Sequence, residues 1–168
     1  MLTFEELPVE AVIVATVDST REHYSQEGKK SCFSDDGIAP ASGSTDPKAK
    51  KCSVCFNNQW GSRITSNGKR GKNCSEFSKL SLREVSTPQL ITSLRVPSAS
   101  LKAFRAYVKQ ITTRGEQLNR VVTLVDTTQD RRSTLTFKVI RFVDDNDQDV
   151  LSQPPSKSAF AVTDGYTQ

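Results

Sequence analysis

Four cysteines carry the clearest chemistry in this sequence. They are spaced Cys32-x19-Cys52-x2-Cys55-x18-Cys74, and no cysteine lies outside that window. One tight Cys-x-x-Cys knuckle and two distant thiolates make up the ligand set of a tetrahedral four-thiolate zinc site. Such a clip folds segments that are too polar to fold by burial. Two other uses of the same residues were weighed. A thioredoxin-like redox pair needs a βαβ setting around the knuckle, which the pattern here lacks. Two disulfides need an oxidising compartment. The start "MLTFEELPVE" has no basic leader and the apolar run Ala11–Val17 is far too short for a bilayer, so a reducing cytosol is expected. The only histidine, His23, is a substitute ligand in principle, but is read as a surface residue. A catalytic zinc keeps an open position and needs a base, and four thiolates leave none. The expected metal is therefore structural Zn²⁺.

Cations and aromatic rings surround the knuckle. Between Lys48 and Arg83 nine lysines and arginines face one acid, Glu76. Lys50, Lys51, Trp60, Arg63, Lys69, Arg70 and Lys72 are candidates for contact with a nucleic-acid strand, with Phe56, Phe77 and Lys79 interleaved. "SNGKRGKNC" reads as a glycine-flanked basic loop for a phosphate backbone. Single-strand binders combine a positive groove with aromatic faces on which bases stack. Against this, Phe56 is expected to pack over the metal cluster, and Trp60 divides evenly between packing there and stacking on bases. Arg132, beside Arg131 in a polar turn, and Lys138 on the polar face of the last strand extend the candidate surface.

The charge is unevenly distributed. Net charge is +4, yet five acids and one base lie from Asp144 onward, which leaves 22 basic and 14 acidic residues before it. A cationic body favours polyanionic partners through phosphate attraction and counterion release. The acidic end, "VDDNDQDV", reads as a flexible tail that competes with DNA or recruits replication proteins; a solubilising linker fits it equally. The domain is thus placed at 1–143 and the tail at 144–168.

These side chains need elements to hold them. Val9–Val17 is β-branched and nearly all apolar, as a buried strand is. Residues 19–51 lose periodicity and read as loop, and the cysteine-rich segment continues the excursion to about residue 80. Leu90–Val96 alternates with period two. Ala99–Thr113 carries Leu101, Phe104, Tyr107, Val108 and Ile111 on one helical stripe, started by Ser98 or Ser100 and ended by Gly115. Arg120–Val125 and Thr134–Phe142 form an antiparallel hairpin. The predicted class is mainly β, a five-stranded OB-like barrel with its helix between the third and fourth strands and a zinc-bearing insertion early. An α+β sheet of other topology fits almost as well. With 35% apolar residues and a mean hydropathy of −0.48, part of the chain is loop rather than packed interior.

The segments "SCFSDDGIAP", "CSVCFNNQWGS", "GKRGKNC" and "LRVPSASLKAFRAYV" together resemble a family of small bacteriophage and prophage proteins related to phage single-stranded-DNA-binding replication proteins. The resemblance covers about residues 31–108. It implies an OB-like fold, a zinc held by Cys32, Cys52, Cys55 and Cys74, single-stranded DNA as partner, and the cytoplasm of an infected bacterium as location. Arg70 departs from the family's more usual "GKG" and keeps the charge.

The expected protein is a non-enzymatic single-stranded-DNA-binding protein of phage replication or recombination, with homo-oligomers allowed and no membrane. The alternative is a zinc-stabilised interaction module or transcription regulator acting on a host enzyme. An enzyme such as a metal-dependent nuclease is disfavoured, because no His/Asp/Glu cluster stands at metal spacing and Asp35–Asp36 have no acidic partner in the sequence nearby. No helix stands out for reading a major groove.

Overall fold

The computed structural model describes residues 1–3, 6–128 and 134–147. In them the chain is mainly β, with a single α-helix longer than one turn. The strands are β1 (Val9–Tyr24), β2 (Lys30–Ser34), β3 (Arg63–Ile64), β4 (Arg70–Gly71), β5 (Cys74–Glu84), β6 (Ile91–Val96), β7 (Val121–Thr127) and β8 (Leu135–Phe142). The helix α1 (Leu101–Thr113) lies between β6 and β7. Six strands form one sheet, ordered β6-β5-β1-β7-β8 with β2 paired to β1, and β3 and β4 form a separate two-stranded ribbon. The pairs β1–β2, β1–β7, β7–β8 and β3–β4 are antiparallel.

Two compact units divide the chain. One comprises Met1–Thr16, Leu80–Arg95 and the chain from Lys102 onward; the other comprises Val17–Lys79 and Val96–Leu101. β1 and β5 each contribute residues to both.

The first unit is built as its hydrophobic pattern dictates. Val121, Val122, Val125 and Leu135 are fully buried, and β7 pairs with β8 from Val121↔Phe142 to Thr127↔Leu135 with one irregularity between Val122 and Thr123. In β8, Leu135 is buried and Phe137 half-buried, while Thr136 and Lys138 are exposed, which is the period-two alternation of a half-buried strand. Helix α1 turns Phe104, Tyr107 and Ile111 inward. Phe104 and Tyr107 stand 5.1 and 5.9 Å from the Phe137 ring, and the Tyr107 hydroxyl lies 2.6 Å from Thr123 Oγ1, so the buried phenol has its partner. Burial pushes the Tyr107 hydroxyl above the usual tyrosine range. The helix ends at Gly115 (φ +76°), where Gly115 N–H reaches Thr112 O and Glu116 N–H reaches Ile111 O. That pair of bonds is a Schellman close, which needs a left-handed residue.

The second unit differs from expectation in three places. β1 does not stop near Val17 but continues to Tyr24; β2 occupies part of the segment read as loop; and β5 runs eleven residues where no strand was predicted. The cause is common to the first two. These strands bury polar side chains (Thr20, Glu22, His23, Ser31, Ser34), so no apolar alternation marks them. Only β5 left a trace, in Leu80 and Leu82. Phe77, counted above among rings beside the cations, is 1% exposed and belongs to the interior. The loop after β2 turns at Gly37 (φ +74°), where an added Cβ would lie 2.3 Å from Ser19 O; no other residue type fits that approach. Asp36 organises the turn by accepting from Ser34 Oγ (3.0 Å) and Ile38 N–H (2.8 Å), and these donors hold its carboxyl below the usual range.

Arg132 lies outside the described residues, as does the acidic segment from residue 148. Its first residues are described: Asp144 and Asp147 each accept from the other's backbone N–H, and Arg141 of β8 forms an ion pair with Asp147.

Candidate functional site

The four cysteines reach one place from three segments of the second unit. Cys32 sits on β2 opposite His23 of β1, Cys52 and Cys55 flank a short 3-10 turn, and Cys74 opens β5. Backbone bonds set the knuckle: Cys52 N–H donates to Ile38 O at 2.8 Å, Cys55 N–H to Cys52 O at 3.4 Å, and Asn58 N–H to Cys55 O at 3.0 Å. All four cysteines line a single cavity of about 20 Å³, together with Arg21, His23, Asn58 and Lys51. That volume is room for one water-sized particle.

The thiols are free, so no disulfide joins them. Burial pushes the Cys74 thiol up to about 11; Arg21 opposes the rise, and Cys52, Cys55 and Cys32 add to it. Near neutral pH Cys74 therefore keeps its proton, which a metal would have to displace. By chemistry, four thiols on one small cavity suit a thiophilic ion. The arrangement is not closed, however: among the described residues no group of three or more His, Cys, Asp or Glu side chains is positioned to hold a metal ion.

Asn58 ties the cavity wall together. Its Nδ2 donates to Cys52 O at 2.8 Å, while its Oδ1 accepts from Arg21 Nη1 at 2.7 Å and from Lys72 Nζ at 3.1 Å. Arg21 also pairs with Glu76 of β5 at 3.5 Å. One buried amide thus links the knuckle, β1 and the segment entering Cys74. Nothing in the spacing of "CFNNQW" singled out Asn58. His23 is a second correction. It is buried (7% exposed), not a surface residue, and its Nδ1 lies 3.3 Å from Asn73 O.

The basic stretch is a hairpin rather than an open loop. β3 and β4 pair Arg63↔Gly71 and Ile64↔Arg70, and Thr65 closes the turn through Lys69 at Gly68 (φ +74°). Arg63, Lys69, Arg70 and Lys72 are exposed, as are Lys50 and Lys51. Among the described residues no ion pair holds Lys50, Lys51, Arg63, Lys69 or Arg70. Trp60, immediately before the hairpin, is 73% exposed. Phe56 is equally exposed and does not pack over the cysteines, because the backbone turn gives the inward position to Asn58. Lys138 is exposed on β8, in the first unit.

Comparison of this chain with protein-family models, with curated proteins and with solved structures finds no match. Among the described residues no helix is long and apolar enough to cross a membrane.

Proposed function

We propose that the chain is a single-stranded-DNA-binding protein, non-enzymatic, whose second unit is clipped by a structural zinc on Cys32, Cys52, Cys55 and Cys74. The observation that carries this reading is the β3–β4 hairpin with its flanks, where four exposed cations adjoin an exposed tryptophan. The sheet order supports an OB-type barrel. With β1, β5, β6, β7 and β8 as strands one to five, the neighbours 3-2-1-4-5 and a helix between three and four are those of a five-stranded OB barrel opened at one seam. The excursion between strands one and two is then one of the loops with which OB folds hold oligonucleotides. The resemblance to phage replication proteins points the same way. Zinc would supply cross-linking and no chemistry: it would hold the knuckle, β2 and β5 together around a cavity that lacks apolar filling.

The test measures zinc stoichiometry and oligothymidylate affinity on one sample, before and after chelation. One zinc per chain is expected, with affinity that falls as salt rises and is lost on chelation. Four neutralised phosphates give a slope of about −3 in log K against log salt, and Arg63→Ala with Arg70→Ala should halve it. A chain that takes up no zinc and leaves oligothymidylate unbound at low salt would sink the reading. A second reading, a zinc-stabilised protein-interaction module, is favoured by the exposed Ile38, Val54 and Ile64 of the same unit. It predicts capture of a protein partner and indifference to nucleic acid.

A further inference from the structure

Among the described residues, apart from Met1, every large apolar side chain more than 60% exposed belongs to the second unit: Ile38, Val54, Phe56, Trp60 and Ile64. Two of them, Phe56 and Trp60, stand on a turn fixed by backbone hydrogen bonds. Gln59 N–H donates to Phe56 O at 2.9 Å and Ser62 N–H to Gln59 O at 3.2 Å. The three residues between the rings are all engaged elsewhere. Asn57 accepts from Asn73 Nδ2 through its side chain and from Ser62 Oγ through its carbonyl. Asn58 turns into the cavity wall, bonded to Cys52, Arg21 and Lys72. Gln59 folds back so that its Nε2 donates to Ser53 O at 3.1 Å. The intervening side chains are spent on internal bonds, and the two rings are left facing water.

An exposed aromatic ring leaves its apolar area unburied, and two such rings on one hydrogen-bonded turn suit a binding surface. The surroundings select the occupant. Lys50 and Lys51 precede the rings, Arg63, Lys69 and Arg70 follow them, and residues 47–75 contain no acid at all. A flat ring amid free cations suits a base with its phosphate. Bases inside a duplex already stack on one another and present only edges and backbone, so an unpaired strand is required.

We propose that Phe56 and Trp60 form a two-ring platform on which unpaired bases of one DNA strand stack while the cations of the β3–β4 hairpin take the phosphates. This deepens the single-strand reading and rests on it. It assigns Phe56 a contact role that the sequence pattern did not give it.

The test uses the full chain loaded with zinc and three labelled probes of equal length: oligothymidylate, its abasic counterpart and a duplex. Loss of one stacked base should weaken oligothymidylate binding about 5- to 100-fold in Phe56→Ala and again in Trp60→Ala. Phe56→Trp should restore it, Phe56→Leu should not, and the abasic strand should bind all these variants equally. The duplex should bind more weakly than oligothymidylate to the unsubstituted chain. Phe56 is so exposed that its removal leaves the fold intact, which a circular dichroism melt verifies. Unchanged affinity in Phe56→Ala and Trp60→Ala, alongside a loss in Arg63→Ala/Arg70→Ala, overturns the platform and leaves the electrostatic reading standing. Loss in Trp60→Ala alone also overturns the two-ring platform. No binding of any probe by the unsubstituted protein removes the underlying reading as well.

Discussion

The two units solve the same problem with different materials. Among the described residues, fifteen of the twenty buried apolar side chains belong to the first unit, and of the five in the second, two are cysteines. The buried polar side chains are distributed the other way: eight of ten (Thr20, Glu22, His23, Ser31, Ser34, Asn58, Ser78, Ser100) lie in the second unit. One unit is held by removal of apolar surface from water, which is additive and tolerant of detail. The other is held by hydrogen bonds, with four free thiols lining a small cavity. Buried polar networks of this kind stabilise only when every member is satisfied. The contrast teaches where binding chemistry can be placed: the polar unit buries Phe77 and half-buries Arg21 but leaves Phe56, Trp60 and most of its cations on its surface.

The comparison breaks first at Phe104, which is 2% exposed and lies against Phe137. Phe104→Ala should cost about 3–5 kcal/mol in urea unfolding followed by far-ultraviolet circular dichroism. A loss under about 1 kcal/mol would mean that the first unit does not depend on its core. Asn58→Ala tests the other material. Removing the amide takes one partner each from Arg21, Lys72 and the Cys52 carbonyl, at a cost of about 1–3 kcal/mol, and should open the second unit selectively. Hydrogen exchange should show faster exchange at Cys52–Gln59 with α1 unchanged; uniform acceleration across both units would contradict the contrast. Phe56→Ala sharpens it from the small end. The same chemical deletion as in Phe104 should change stability by less than about 0.5 kcal/mol, because the ring is already in water.

What the sequence showed depends on which material a segment uses. Helix α1 and the β7–β8 hairpin were readable because burial leaves a period, 3.6 or 2, in residue type. The convergence of the four cysteines on one cavity followed from their clustering. The rest was opaque for a physical reason. The second half of β1 ("DSTREHY") and β2 ("KSCFS") bury hydroxyls, a histidine and a carboxylate, and a buried Thr20 or Glu22 looks the same in sequence as an exposed one. The side-chain position of His23 was read the wrong way round for that reason, and that of Phe56 because the turn gives the inward position to Asn58. Residue type predicts burial only where burial is apolar. Asn58 carries no pattern because its role lies in three partners 6, 37 and 14 residues away.

The β3–β4 hairpin has a consequence for the order of assembly. It lies wholly between Cys55 and Cys74, and its closing bonds, Gly61 N–H to Gly71 O and Asn73 N–H to Ser62 Oγ, draw together residues close to both thiols. A ribbon of so few residues is a local contact that forms within microseconds, before distant strands have met. Once it is closed, the chain between the two cysteines behaves as a much shorter loop, and bringing those sulfurs together costs correspondingly less chain entropy. The element that presents the cations is thus also the one that shortens the search for the thiols.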